Sequence, residues 1–333
     1  MRILLTGGTG YIGSHTAITL SEAGHDVILL DNLYNSQIKV LDRIEEILNK
    51  KVIFYEADVR NTALVTEILK KEKVDAIIHL AGLKAVGESW KKPIEYYGCN
   101  VGGSISLASA MKAAGVHILV FSSSATVYGD PKYLPYDEDH PTSPTNPYGR
   151  NKLQVEQLLQ DIANSDSNWS IACLRYFNPV GAHQTGLIGE NPNGIPNNLM
   201  PIVAQVATGR LSTLNIYGND YETIDGTGMR DYIHVMDLAD GHLAAIEWLE
   251  KNRGCHYFNL GSGTSHSVLE LVSEFENASG KVIPRQVVSR REGDLPNYYA
   301  QADKAFRLLN WKTSRSLSDM CESTWHWEKQ KLI

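Results

Sequence analysis

The chain has 333 residues, 43% of them hydrophobic and 21% charged, the proportions of a globular protein and not of a disordered or fibrous one. At roughly 150 residues per domain, that length accommodates about two domains. The 31 Lys and Arg against 38 Asp and Glu leave a net charge of −7 with no basic cluster, so neither nucleic acid nor a membrane surface is an expected partner.

No apolar run approaches the roughly 20 residues that cross a bilayer, and Met1-Arg2 leads straight into an apolar strand pattern, so neither a transmembrane helix nor a secretory leader is expected. Up to about residue 175 one rhythm repeats, a short β-branched run, a turn, then a segment of helical period. Strands are predicted at 2–6, 26–30, 52–56, 75–79, 117–121 and 169–174, and helices at 11–23, 39–48, 62–71, 100–114 and 148–163. Runs such as Val27-Ile28-Leu29-Leu30 and Ile77-Ile78-His79-Leu80 are almost wholly apolar, as strands buried on both faces must be. The fold class is therefore α/β, a doubly wound parallel sheet.

After Arg175 the rhythm loosens into Gly-, Pro- and Asn-rich stretches at 178–197 and 218–229, long connections of the kind that build sites. A helix and strand at 236–250 and 256–260 are placed to return to the first sheet. The division expected is thus 1–176, with 236–260 returning to it, and a smaller mixed α/β substrate domain over 177–333. Cys99, Cys173, Cys255 and Cys321 fall without paired spacing, as isolated thiols in a reducing cytoplasm would, and no metal site is expected.

Gly7, Gly10 and Gly13 occupy the predicted junction of the first strand and first helix. Residues without a Cβ let the backbone turn sharply there and approach a pyrophosphate, and the N–H groups of a helix start point at the anion. Asp31 follows Gly13 by 18 residues, at the end of the second predicted strand. A carboxylate there accepts ribose hydroxyls and repels a 2′-phosphate, which selects NAD over NADP. Asp58, after the third strand, either meets the adenine or caps the helix that begins near Thr62.

Tyr148 and Lys152 stand four apart in a helical pattern that Pro147 opens, so they share a face. A tyrosine acts as a base near neutral pH only if its reference pKa of about 10 is brought down by neighbouring positive charge. The other Tyr-x-x-x-Lys spacing, Tyr128 to Lys132, contains Gly129 and Pro131 and does not read as a helix. Ser122-Ser123-Ser124 closes the fifth strand at the carboxyl edge of the sheet, where a hydroxyl can bridge a sugar oxygen and Tyr148 or simply cap a turn.

Together these stretches resemble the extended short-chain dehydrogenase/reductases, and within them the sugar-nucleotide 4-epimerases. The matching runs are TGGTGYIGSHT from Thr6, AGLKAVGES from Ala81, FSSSATVYGD from Phe121, NPYG from Asn146, LRYFNPVGAH from Leu174, GIPNNLMP from Gly194, GMRDYIHVMDLADGH from Gly228 and REGDLP from Arg291. They cover almost the whole chain. The resemblance implies a Rossmann domain, bound NAD, a UDP-hexose substrate, and a homodimer packed through helices near 100–114 and 148–163.

It implies that Tyr148 is the base, that Lys152 holds the nicotinamide ribose and lowers the tyrosine pKa, and that Ser124 contacts the sugar. Cofactor contacts are implied for Tyr11, Ile12, Asp31, Asn32, Leu33, Tyr34, Asn35, Ser36, Asp58, Val59, Leu80, Ala81, Gly82, Leu83, Lys84 and Phe177, beside the three glycines. For the substrate it points to Lys84, Ser124, Tyr148, Asn178, Asn198, Leu199, Arg230, Arg291, Asp294 and Tyr298. Arginines suit the diphosphate because a guanidinium binds its oxygens bidentately, although before the resemblance Arg230 and Arg291 read as ordinary surface ion-pair residues.

Two departures stand out from that pattern, Cys99 where relatives often carry Asn, and Arg150-Asn151 in place of Lys-Ser. Ala125-Thr126 stands where sugar-nucleotide dehydratases carry an Asp-Glu pair, so the proton carriers of elimination are missing and epimerisation is favoured. The bulk of Tyr298 predicts UDP-glucose and UDP-galactose over N-acetylated sugars. The alternatives are a 4-epimerase of another UDP-sugar and a non-catalytic NAD-binding redox sensor, since a fold does not fix a function.

Overall fold

The computed structural model describes residues 1–191, 196, 198–291 and 293–331. Gly194, Ile195 and Asn197 of the GIPNNLMP run and Glu292 of REGDLP lie outside the described residues.

The first part of the chain alternates as predicted: β1 (Arg2–Thr6), α1 (Tyr11–Glu22), β2 (Asp26–Asp31), α2 (Lys39–Leu48), β3 (Ile53–Glu56), α3 (Thr62–Lys71) and β4 (Ala76–His79). Two short helices, α4 (Val86–Lys91) and α5 (Pro93–Tyr96), then run through a π-helical turn at Tyr97–Val101 into α6 (Gly102–Ala114), whose predicted start two residues earlier falls inside that turn. β5 (Ile118–Ser124), α7 (Pro147–Ser165) and β6 (Ser170–Tyr176) follow. Pro147 opens α7 at a position that needs no N–H, and the Asn146 side chain accepts from Gly149 N–H.

The second part is β7 (Asn178–Val180), α8 (Leu199–Ala207), β8 (Leu214–Tyr217), β9 (Met229–His234), α9 (Val235–Leu249) and β10 (Gly254–Leu260). It continues through β11 (Ser265–Ser267), α10 (Val268–Ser279), β12 (Arg285–Val288), β13 (Asn297–Tyr298), α11 (Asp303–Leu309) and α12 (Leu317–Gln330).

Seven strands form one parallel sheet in the order β10-β6-β5-β4-β1-β2-β3. The order reverses between β1 and β4, the crevice where doubly wound sheets place ligands. One face packs Ile3, Leu5, Leu29, Ile78 and Val120 with α1, α2 and α9, and the other packs Leu4, Ile28, Ile77, Leu119 and Ile171 with α3, α6 and α7. Consecutive strand residues serve opposite faces, which is why the strands read as unbroken apolar runs.

β9 is the hub of the smaller part, with β7 and β13 parallel to it and β11 antiparallel. Asp231 is fully buried there and accepts from Ser262 N–H and hydroxyl and from the N–H groups of Gly263 and Ala300. A separate core of Met200, Val203, Leu271, Val272, Phe275 and Trp325 packs α8, α10 and α12. Among the described residues, no helix is long and apolar enough to cross a membrane.

Candidate active site

The β1–α1 turn is built around missing side chains. Gly7 has φ +69°, and a Cβ on it would come within 2.8 Å of Ala81 N; a Cβ on Gly13 would lie 2.2 Å from Gly7 O. Gly10 caps α1 without a side chain, and the first helical bond runs from Ser14 N–H to Gly10 O. The N–H groups of residues 11–13 therefore have no intrahelical acceptor, and no acid stands in the first turn. This cradle fits a dinucleotide pyrophosphate.

Asp31 ends β2, nearly buried, and accepts from Thr9 N–H (3.2 Å), Leu33 N–H (2.9 Å) and the Ser36 hydroxyl (3.1 Å). It thus ties the glycine turn to the 32–36 loop. Asp58 is gripped by Arg60 in a two-point pair (2.9 and 2.7 Å) and by Asn32 Nδ2 (3.0 Å), which holds its carboxyl well below the usual range. Its alternative role as a helix cap belongs instead to Asn61, whose side chain accepts from Leu64 N–H. Val59 lies beneath Gly103 of α6.

Residues 80–84 leave β4 at the sheet's reversal point. Asn100 clamps them, accepting from Leu83 N–H at 2.8 Å and donating to Leu83 O at 3.0 Å. The Asn100 side chain beside Cys99 is therefore committed to the Leu83 backbone and, through Nδ2, to Asn151 Oδ1 at 3.5 Å. Tyr11 donates to Gly181 O at 2.6 Å, joining the start of α1 to the segment after β7.

Tyr148 and Lys152 emerge from the first turns of α7 against the end of β5, with Nζ 5.8 Å from the Tyr148 ring centroid. Nζ donates to Ser122 O at 2.5 Å and lies over Phe121. Ser124 Oγ accepts from Thr126 N–H (3.2 Å) and its hydroxyl (3.0 Å), and the Ser124 side chain is close enough to the Tyr148 phenol to pull its pKa down. Ser124 takes the capping role for the short 3-10 turn Ala125–Val127, and its position beside Tyr148 leaves the other role open to it.

Burial pushes the Tyr148 phenol up to about 12, against the pull of the Ser124 side chain, and pushes the Lys152 ammonium down to about 8. The spacing brings the two groups together as expected, but in the free protein desolvation is the largest influence on each. Tyr128, of the competing spacing, is fully buried and donates to Asn259 Oδ1.

On the other side, Asp294 gathers both predicted arginines. Arg291 meets it through Nε at 2.8 Å, and Arg230 Nη2 lies 3.6 Å away while Nη1 donates to Leu295 O. The Arg230 guanidinium covers the Tyr298 ring at 4.9 Å, its register partner across β9 and β13. Tyr298 donates to Asn178 Oδ1 at 2.9 Å and packs beside Phe177. Asn198 and Leu199 open α8, and Asn198 Nδ2 donates to Glu190, which also pairs with Lys84 at 2.9 Å.

Sequence reasoning passed over Glu190, which pairs with Lys84 and accepts from Asn198, Asp231, which anchors the strand carrying Arg230, and Glu156 on the buried face of α7. No spacing marks these acids. Among the described residues, no group of three His, Cys, Asp or Glu side chains is placed to hold a metal ion.

The chain matches the NAD dependent epimerase/dehydratase family over residues 3–261. It is 55% identical to UDP-glucose 4-epimerase of Yersinia pestis over 331 residues, 99% of this chain and 98% of that protein. Among solved structures, UDP-glucose-4-epimerase of Stenotrophomonas maltophila with bound NAD and formylated UDP-arabinopyranose superposes with a TM-score of 0.98 at 48% identity, covering 100% and 99% of the two chains. The Bifidobacterium longum enzyme in complex with NAD+ and UDP gives 0.96 at 49% identity, with the same coverage.

Proposed function

The chain belongs to the NAD dependent epimerase/dehydratase family, and we propose that it interconverts UDP-galactose and UDP-glucose by inverting C4 of the hexose, a step of galactose metabolism. The observation that carries this reading is the meeting of Tyr148, Lys152 and Ser124 at the carboxyl edge of the sheet.

When bound in the glycine cradle, NAD supplies the hydride acceptor and donor, and its oxidised ring a positive charge beside the phenol. Tyr148 takes the O4 proton with Ser124 bridging, which leaves a 4-ketohexose tethered through UDP. Arg230 and Arg291 keep hold of the diphosphate while the sugar turns over, and Tyr148 returns the proton to O4. Binding energy is thereby placed on the remote nucleotide, leaving the hexose free to rotate. Thr126 spends both its N–H and its hydroxyl on Ser124, and neither Ala125 nor Thr126 carries the acid or base that elimination of water needs.

Purified protein incubated with UDP-galactose and no added cofactor is expected to yield UDP-glucose. Protein that carries NAD and yet makes no UDP-glucose would overturn the reading.

Residues 1–176, with 236–260, form the cofactor domain in this proposal, and the rest of 177–333 the UDP-sugar domain. The assembly is a cytoplasmic homodimer packed through α6 and α7, a reading supported by the exposure of Ile105 on α6 and of Trp90 under Arg150.

Tyr298 sets the substrate limit. Its ring is fixed by the Asn178 hydrogen bond, the Arg230 guanidinium and Phe177, so it does not swing aside for an acetamido group. kcat/KM for UDP-N-acetylglucosamine is expected to be about 10²-fold below that for UDP-glucose in a coupled assay. Comparable turnover of the two would remove the steric argument.

A further inference from the structure

Tyr148, Lys152 and Glu156 follow one another at intervals of four along α7, so all three descend one helix face. They meet three consecutive serines of β5: Tyr148 faces Ser124, Lys152 donates to Ser122 O, and Glu156 accepts from the Ser123 hydroxyl at 2.5 Å. Arg175 on β6 closes on the Glu156 carboxylate with Nε at 3.0 Å and Nη2 at 2.8 Å, and the two side chains are 5% and 1% exposed. Arg175 also donates to Tyr128 OH at 3.1 Å, which in turn donates to Asn259 of β10. This chain of bonds runs from the catalytic helix across three strands, yet no step of C4 inversion uses a carboxylate or guanidinium there.

Stability does not account for it. Taking two charges out of water costs much of what their attraction returns, and a well-packed apolar pair is often as stable. An apolar pair, however, neither fixes a helix along its own axis nor sets a negative charge one turn from an ammonium. We propose that Glu156, held by Arg175, is a positioning residue for C4 inversion: it locks α7 on β5 so that Tyr148 meets Ser124, and it keeps Lys152 charged. This rests on the functional reading above.

The groups facing Lys152 leave that second role to Glu156. His79 on β4 is held neutral by burial, and the Cys99 thiol on the π turn is pushed up by burial and so carries no charge near neutrality. Tyr148 is a neutral phenol in the free protein, and β5 offers the Ser122 carbonyl and the Phe121 ring. Cys99 and Glu156 both oppose the desolvation of Lys152, and of the two it is Glu156 that is held as a carboxylate, by Arg175.

The test compares kcat and KM for UDP-galactose against pH in the purified NAD-loaded wild type, Glu156→Gln, Glu156→Asp and the double variant Glu156→Gln/Arg175→Leu. Glu156→Gln is expected to lower kcat by about 10²-fold at unchanged KM, as a catalytic group displaced by about 1 Å does. It also moves the alkaline limb of kcat about one unit toward acid, because Lys152 loses a charge that favours its cation. Glu156→Asp restores part of kcat and the wild-type limb. Should the single Gln variant fail to fold, the double variant, which strands neither charge, is expected to show the same loss of kcat with a smaller limb displacement in the same direction, because the Arg175 cation leaves together with the nearer carboxylate.

An unchanged kcat, or a lost kcat with the limb in place, overturns the inference. A wild type that does not interconvert the two sugars overturns the functional reading instead.

Discussion

Replacing Tyr148 by phenylalanine is expected to lower kcat for UDP-galactose by about 10³-fold and to leave UDP affinity unchanged, measured by steady-state kinetics beside a UDP titration. The change removes one oxygen and keeps the ring, which stays beside Lys152. UDP affinity is spared because Arg230 and Arg291, which share Asp294, belong to another part of the structure. A factor of 10³ corresponds to about 4 kcal/mol of transition-state stabilisation. That loss falls equally on kcat and kcat/KM, since the proton transfer is made only on the way to the ketone.

The pH dependence gives a second check. A phenol pushed up to about 12 is protonated at neutral pH, so it ionises usefully only when positive charge gathers around it. In the loaded enzyme kcat therefore rises with pH as Tyr148 ionises, and it falls again as Lys152, already pushed down to about 8 by burial, gives up its cation. The rising limb belongs to the phenol and disappears in Tyr148→Phe. A variant as fast as the wild type would mean that the O4 proton leaves by another route.

The parts of this site that local chemistry dictates were readable in the chain. Apolar strands, a glycine turn and a Pro147 helix start each follow from residues within a few positions of one another, and β1, α1, α2, α3 and α7 fall within two residues of their predicted bounds. The start of α6 was blurred because Pro93 and Gly98 interrupt the pattern, and Tyr97–Val101 winds as a π turn that no apolar period announces.

The substrate side is a different matter. Arg230 and Asp294 meet only after β9 and β13 pair, and nothing local distinguishes those residues from surface charges; the resemblance alone picked them out. Buried acids were the blind spot. Glu156, Asp231 and Glu190 read in sequence like solvated ones, because what buries them is the packing of distant strands and loops. Asp58 shows the converse, an acid noticed for its position whose capping role the neighbouring Asn61 takes.

Gly13→Ala is expected to cost the protein its dinucleotide. A Cβ at position 13 lies 2.2 Å from Gly7 O and 2.9 Å from Gly8 Cα, and both are backbone atoms of the turn itself, with no side chain to swing aside. Gly7 is fixed in turn by Leu30 O, which accepts its N–H at 2.8 Å, and by Ala81 against its other side. Relief must therefore come from lifting α1 off the turn, which carries the N–H groups of residues 11–13 away from the pyrophosphate. Overpacking of this kind costs about 1–3 kcal/mol of stability, and the loss of anchored donors adds to it in affinity.

Gly87→Ala is the control. Its Cβ meets nothing within 4 Å and it lies inside α4, so alanine there is neutral or stabilising by up to about 1 kcal/mol. Cofactor absorbance of the purified variants, with thermal unfolding, separates the two: Gly13→Ala elutes without NAD and melts lower, while Gly87→Ala keeps both. A Gly13→Ala protein with its full complement of NAD would show that the turn yields without moving its donors, and that the anion is held elsewhere.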